Sequence, residues 1–450
     1  MTWTRSPQPA HPRASPLGTL RAFREDPLGL LLRLAREEGD VATMDMGRFR
    51  VFLLSHPDHI RDVLVANHGR FVKGEILQEP KRLLGDGLLT SEGDLHHRQR
   101  RLIQPVFHHR RMAQYVDLMV ERAARATETW RDGDVVDVPD EMVRLTMSVL
   151  GKAVLDAEIG DDEARETGRA LSTCLEMFGR QASPYARLLD QVSTPSTLEF
   201  ERVLHVFDAT VAGVIETRRA TGIDGTDVLS QLMRVTDEAT GEPMPDAQIR
   251  DEVLTFMVAG HETWSNSLGW TWYLLSQSPT ARDALEAELA EVLGGRPPGA
   301  EDVRRLPFTG AVYSEALRLY PPAWTVGRTA LEDHVVDGHR IPAGSIVLIS
   351  PYVVHHDARW FPEPWAFRPE RWLSEEAERI PTFAYLPFGA GPRVCIGQPL
   401  ATLASVLFVS TIARRWRLDL VPGHSVEPTA PLLRPAQGIP MIARDRQARA

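Results

Sequence analysis

A loop studded with glycine, Phe388-Gly389-Ala390-Gly391-Pro392-Arg393-Val394-Cys395-Ile396-Gly397, runs directly into an apolar stretch over residues 398–416. That junction constrains the fold more than any other segment. The apolar stretch reads as a helix, so Cys395 stands just before a helix N-terminus, where an anion is favoured. Glycines without a Cβ let backbone N–H groups approach the sulfur, and such donors lower a thiol's pKa. A thiolate held this way ligates a metal from one side only. Arg393 offers a fixed cation to a nearby carboxylate. The bland alternative is a structural cysteine buried beside a turn, a common place for a free thiol.

The rest of the chain limits the choice. It has 450 residues, 43% of them hydrophobic and 25% charged, which suits an ordinary globular protein. A net charge of −10 argues against a nucleic-acid binder. Two cysteines, Cys174 and Cys395, make neither a disulfide framework nor a four-cysteine zinc site, and the lack of Cys-x-x-Cys-His argues against covalent haem attachment. The early apolar runs fall far short of the ~20 residues a membrane span needs. Residues 1–18 have no apolar signal core. The expectation is a cytoplasmic protein with a flexible tail over 1–19, one domain over 20–442 and a C-terminal tail over 443–450.

Periodicity and breakers predict a mainly α protein with a small β region. Helices are expected over Pro27–Glu38, 57–67, 93–107, 110–131, 140–154, 163–181, Pro195–Thr221 (capped by Thr194), Asp246–Gln277 and 280–293. Residues 183–193 read as a loop. Strands are expected over 41–54, turning at Gly47, and within 335–348.

The long helix Asp246–Gln277 contains Ala259-Gly260-His261-Glu262-Thr263. A helix lying against a flat group needs a spot without side chains, which Gly260 supplies at about 1 kcal/mol in helix stability. Thr263 shares that face. Its hydroxyl either bonds a carbonyl one turn back or serves an oxygen bound in the gap. Glu262 suits proton relay. The plain alternative is a packing notch beside a solvated glutamate. Trp264 points about 100° away from Thr263, either into the pocket or behind the helix. Further along come Glu315-Ala316-Leu317-Arg318 and Phe367-Arg368-Pro369-Glu370-Arg371-Trp372. His96 and Arg100, four residues apart, point to one side of their helix.

These segments resemble the cytochrome P-450 family in order and type. Phe388, Gly391, Arg393, Cys395 and Gly397 match its cysteine loop, and Ala259, Gly260, Glu262 and Thr263 match its oxygen-binding helix. The resemblance covers about residues 20 to 442. It implies the family's mainly α fold, with haem held between two long helices. It implies Cys395 as axial ligand to the iron of a non-covalent haem b, with Phe388, Gly391 and Gly397 shaping the loop. It gives His96, Arg100, Arg328 and Arg393 to the haem propionates, Thr263 and Glu262 to proton delivery, and Glu315, Arg318 and Arg371 to a structural lock.

The chemistry implied is insertion of one oxygen atom from O2, for which thiolate ligation is suited. Electrons from NAD(P)H would arrive through a separate ferredoxin or flavodoxin and its reductase, docking on Arg98, Arg101, Arg110 and Arg111. Alternatives are a peroxide-driven hydroxylase, a haem-thiolate isomerase or dehydratase, or a haem-thiolate sensor or electron carrier. The family's pocket positions fall here on Phe71, Ile76, Leu77, Leu88, Met177, Phe178, Met257, Val258, Ala259, Trp324, Val326, Ile439 and Pro440. That apolar set points to a lipophilic substrate such as a terpenoid, carotenoid or fatty acid.

Overall fold

The computed structural model describes residues 16–47, 49–74, 81–107, 113–160, 195–222, 225–237, 241–430 and 432–447. The expected elements at 163–181 and 183–193, the cap Thr194, and Ile76, Leu77, Arg110, Arg111, Cys174, Met177 and Phe178 lie outside the described residues.

Ten helices of ten or more residues are described: α1 (Pro16–Glu25), α2 (Pro27–Glu38), α3 (Gly93–Ile103), α4 (Val116–Ala126), α5 (Val138–Leu155), α6 (Pro195–Thr221), α7 (Asp246–Gln277), α8 (Pro279–Leu293), α9 (Pro307–Leu319) and α10 (Gln398–Ala413). Their limits follow local chemistry. Asp26 caps α2 by accepting from the Gly29 N–H at 3.0 Å, with Pro27 at the first position. Ser278 caps α8 the same way, and Gly294 ends it in the left-handed region. Helix α7 is buried along most of its length and on every side, which makes it the central strut of an α-helical core. It packs on α5, and both join α4 and α10 in the largest apolar cluster.

The strands are β1 (Val41–Met46), β2 (Phe49–Leu54), β3 (Phe71–Val72), β4 (Val135–Asp137), β5 (Val326–Ala330), β6 (His334–Val336), β7 (His339–Ile341), β8 (Ile346–Ile349), β9 (Trp416–Leu420), β10 (Pro428–Thr429), β11 (Arg434–Pro435) and β12 (Pro440–Asp445). The main sheet runs β1-β2-β8-β5-β3, with β2 and β8 parallel and the other pairs antiparallel. A second sheet runs β4-β12-β9, and β10-β11 and β6-β7 form separate hairpins.

Several boundaries differ from expectation. The tail drawn to residue 19 overlaps α1, where Thr19 is already buried. The tail drawn from residue 443 overlaps β12, where Ala443 is fully buried and pairs with β9. The 57–67 helix breaks after Arg61 into a π-turn, Asp62–Ala66. Among the described residues, the expected 110–131 helix is a 3-10 turn over Ala113–Tyr115 followed by α4, which ends at Ala126. Helix α10 stops at Ala413, because Trp416 turns inward as the first residue of β9.

Candidate functional site

The cysteine loop enters α10 through one short 3-10 turn, Gly391–Arg393. The Cys395 N–H donates to the Phe388 carbonyl at 2.9 Å, closing the loop on itself. Its sulfur accepts from the N–H groups of Gly397 and Gln398. Burial nevertheless pushes the Cys395 thiol up, while those two donors and then the Arg100 cation pull it down. The lowered pKa expected from the sequence is therefore reversed, because loss of water outweighs the donors. Cys395 as a residue is exposed even so, although its thiol is desolvated. Gly391, at φ 69°, is obligatory for another reason. A Cβ there would stand 2.0 Å from the Leu64 carbonyl oxygen of the π-turn.

Across from α10, burial of α7 is interrupted where Ala259 is exposed and Gly260 and Thr263 are half-buried. The Thr263 Oγ1 donates to the Ala259 carbonyl at 2.6 Å, the first of the two roles open to it. Gly260 plays a different part from the one anticipated. The position of its missing Cβ lies 3.1 Å from a Leu150 methyl, so the notch admits α5. Trp264 lies behind the helix, stacked on Phe408. Glu262 is buried, and its Oε1 lies 3.7 Å from an Arg434 nitrogen on β11. No local pattern points to Arg434, which comes from a hairpin far along the chain.

Cations gather at one edge of the site. The Arg100 Nη1 donates to the Val394 carbonyl at 2.7 Å, and the Arg393 Nη1 to the Ser91 carbonyl at 2.8 Å. Arg393 also pairs with Glu92. The Arg328 Nη1 donates to the Gly327 carbonyl. Lys73, overlooked in the sequence, joins them, its ammonium bonded to the Leu89 carbonyl. Burial first, then mutual repulsion, depresses these groups: Lys73 to about 7, Arg328 to about 10, and Arg393 downward. Arg100 is lowered by burial alone, with Cys395 opposing. His96, 1% exposed, is lowered to about 3 by burial and then by Arg393, Lys73 and Arg100, so its ring is neutral. Its Nδ1 has no partner among the described residues. Such a donor set, with Glu92 as the carboxylate acting on it, is matched to a bound group carrying two carboxylates.

Glu315, Arg318 and Arg371 come together, all fully buried. Arg318 forks onto both Glu315 oxygens at 2.9 and 2.8 Å, Arg371 Nε donates to Oε1 at 3.0 Å, and Trp372 Nε1 to Oε2 at 2.9 Å. Arg318 also donates to the His355 carbonyl, and the His355 Nε2 accepts from the Leu386 N–H, two residues before Phe388. The lock thus reaches the cysteine loop.

The expected pocket positions are spread over several clusters. Met257, Val258 and Ile439 are buried in the main core, and Trp324 packs on Phe23 in a separate cluster. A helix shows one narrow face to a gap, and on α7 that face belongs to Ala259 and Thr263. Val326, on β5, stays half-exposed. Leu88 is nearly buried, tied through its N–H to Glu252 at 2.9 Å. Of the expected docking arginines, Arg98 is held by buried Asp237, whereas Arg101 is exposed.

No helix among the described residues is long and apolar enough to cross a membrane. Comparison with known proteins agrees with the geometry. The family model described as cytochrome P450 matches residues 6–442. The chain is 38% identical to cyclooctatin synthase of Streptomyces melanosporofaciens, over 91% of this chain and 89% of that one. It is 35% identical to cyclooctat-9-en-7-ol 5-monooxygenase of the same organism, over 96% and 93%. It is 31% identical to pentalenene oxygenase of Streptomyces avermitilis, over 87% of each. With a glycine-framed thiol, a cluster of cations beside it and a family match along nearly its whole length, the chain belongs to the cytochrome P450 family.

Proposed function

We propose that this P450 monooxygenase hydroxylates or epoxidises a terpenoid, with haem b bound non-covalently and electrons delivered from NAD(P)H by a ferredoxin or flavodoxin and its reductase. One observation carries the reading: a sulfur received by two backbone N–H groups shares its gap with a cluster of cations suited to two carboxylates. Terpenoid substrates are supported by the names of the relatives.

In this reading Cys395 would hold the iron through its sulfur, with Gly397 and Gln398 steadying the negative charge there. Arg100, Arg328, Arg393, Lys73 and neutral His96 would hold the propionates. Bound haem supplies electron acceptance and oxygen activation. The remaining work belongs to protons. Inserting one oxygen atom consumes two electrons and two protons, and the second atom leaves as water. Glu262 collects protons from the Arg434 side. The Thr263 hydroxyl, released from the Ala259 carbonyl, turns to present one to oxygen in the gap. Ala259 keeps that face low, so that an apolar substrate approaches closely.

The test is spectroscopic. The reduced protein should give a strongly red-shifted CO band that Cys395→Ser removes and Cys174→Ser keeps. Terpenoid hydrocarbons and alcohols should shift the ferric spin state, and reconstituted turnover should add one oxygen. A band lost with Cys174→Ser instead would overturn the ligand assignment. Spin shifts by fatty acids and not by terpenoids would overturn the substrate class.

A further inference from the structure

Trp264 stands next to Thr263 on α7 but faces the other way, into the core. Its ring stacks on Phe408 of α10, with centroids 5.1 Å apart and planes at 20°. Its Nε1 donates to the Ser405 Oγ at 2.9 Å, also on α10. One turn along α7, the Ser267 Oγ donates to the Trp264 carbonyl at 2.7 Å and lies 3.1 Å from the Tyr313 hydroxyl of α9. Tyr313 also bonds Ser405 and lies within the electrostatic reach of Cys395. Trp264, Ser267, Tyr313 and Ser405 therefore form one polar knot where three helices meet in an apolar core. All four are buried.

Apolar side chains would fill such a place at no cost in desolvation. What a directional knot adds is register, because a hydrogen bond fixes where two helices meet while apolar contact lets them slide. Consider what each helix carries. Helix α7 bears Thr263 one residue before Trp264. Helix α10 begins three residues after Cys395 and bears Ser405. Helix α9 bears Tyr313 two residues before Glu315, whose lock extends to the cysteine loop. Rotation of α7 about its axis would swing Thr263 relative to Cys395. The indole N–H is placed to resist that rotation.

We infer that Trp264 is a positioning residue: through Ser405 it fixes the rotation and distance of the Thr263 face against the helix that follows Cys395, and so sets the width of the haem slot. The inference rests on the oxygenase reading above. Loss of this contact should loosen the slot in two measurable ways. Haem should leave faster, by about two- to tenfold, the equivalent of one buried hydrogen bond. Product per electron should fall by about threefold or more, with peroxide making up the balance, because small misplacements at a reacting centre are costly.

The experiment uses haem-loaded full-length protein. Trp264→Phe keeps the stack and drops the N–H, Ser405→Ala drops the acceptor, and the double variant drops both. Leu285→Ala, in the buried face of α8 and outside the polar knot, serves as a destabilising control. Haem transfer to an apo-globin acceptor and electron coupling are measured for each. Support is a shared loss in both single variants, no deeper in the double, and absent from the control. Coupling and haem loss that match wild type, or that match the control at equal Tm, would overturn the inference, and so would additive losses. If the Trp264→Phe protein does not accumulate, the Ser405→Ala result decides by the same criteria. A wild-type protein without the red-shifted CO band would sink the oxygenase reading itself, a separate failure.

Discussion

Arg434 reaches across from the C-terminal hairpin to within 3.7 Å of Glu262, the buried carboxylate beside Thr263. Arg434 is itself partly exposed, so a single ion pair links the water outside to the helix that faces the gap. Arg434→Gln should reduce product per electron and enlarge the solvent isotope effect on turnover, while the CO band stays unchanged. Withdrawing the cation should also lower stability by on the order of 1 kcal/mol. An unaltered isotope effect would leave Arg434 as a structural partner only.

Thr263→Ala should separate electron use from product. The hydroxyl now bonded to the Ala259 carbonyl is the group on this face placed to hand on a proton. NAD(P)H consumption should continue while peroxide rises. Unchanged coupling would reduce Thr263 to a packing residue.

Glu252 predicts a pH dependence of stability. It is fully buried on α7, and burial raises it from 4.5 to about 7, against the pull of the Leu88 N–H and the Gln248 amide, with Asp251 adding to the rise. A carboxyl whose folded pKa exceeds its unfolded value contributes stability below the unfolded value and loses it as pH rises through the folded one. The loss should therefore fall between about pH 4.5 and 7 and amount to on the order of 3 kcal/mol. Glu252→Gln keeps an acceptor for Leu88 and removes the titration. Denaturant unfolding at pH 5 and pH 8 should show a larger drop for the wild type than for this variant, and parallel curves would refute the assignment.

Arg101→Glu should slow the first electron transfer at low salt, and the difference should fade above ~0.1 M, where the Debye length is about 10 Å. Arg98→Glu should act otherwise. Its partner Asp237 is buried, so charge reversal there should lower Tm at every ionic strength. A transfer rate indifferent to Arg101 and to salt would remove the docking face.

What the sequence disclosed follows from the kind of signal each feature leaves. Helices α2, α6 and α7 were legible to the residue because a cap or a proline marks their ends. The cysteine loop was legible because its glycines and cysteine sit within ten residues. Pairings between distant segments left no local trace, so Lys73 beside Arg328 and Arg434 beside Glu262 went unseen. Glu252 was missed likewise, since a carboxylate in a helix reads as solvated until its neighbours are known. The pocket-facing side was hard to read for another reason. Helix α7 is buried on nearly every side, polar residues included, so its sequence does not say which side faces the gap, and Met257 and Val258 fell on the core side. The thiol pKa was misjudged because donors are visible in a motif and burial is not.

The close approach of Gly391 to the Leu64 carbonyl has a consequence for how this protein can diverge. A search among loop variants for altered chemistry meets one position already closed, and closed by a helix that has no part in the chemistry. Clearing the π-turn at Asp62–Ala66 removes the clash and still leaves a positive φ of 69°, so a side chain at 391 needs both a changed turn and a changed loop backbone. The freedom of this loop is therefore set partly in a segment near the opposite end of the chain.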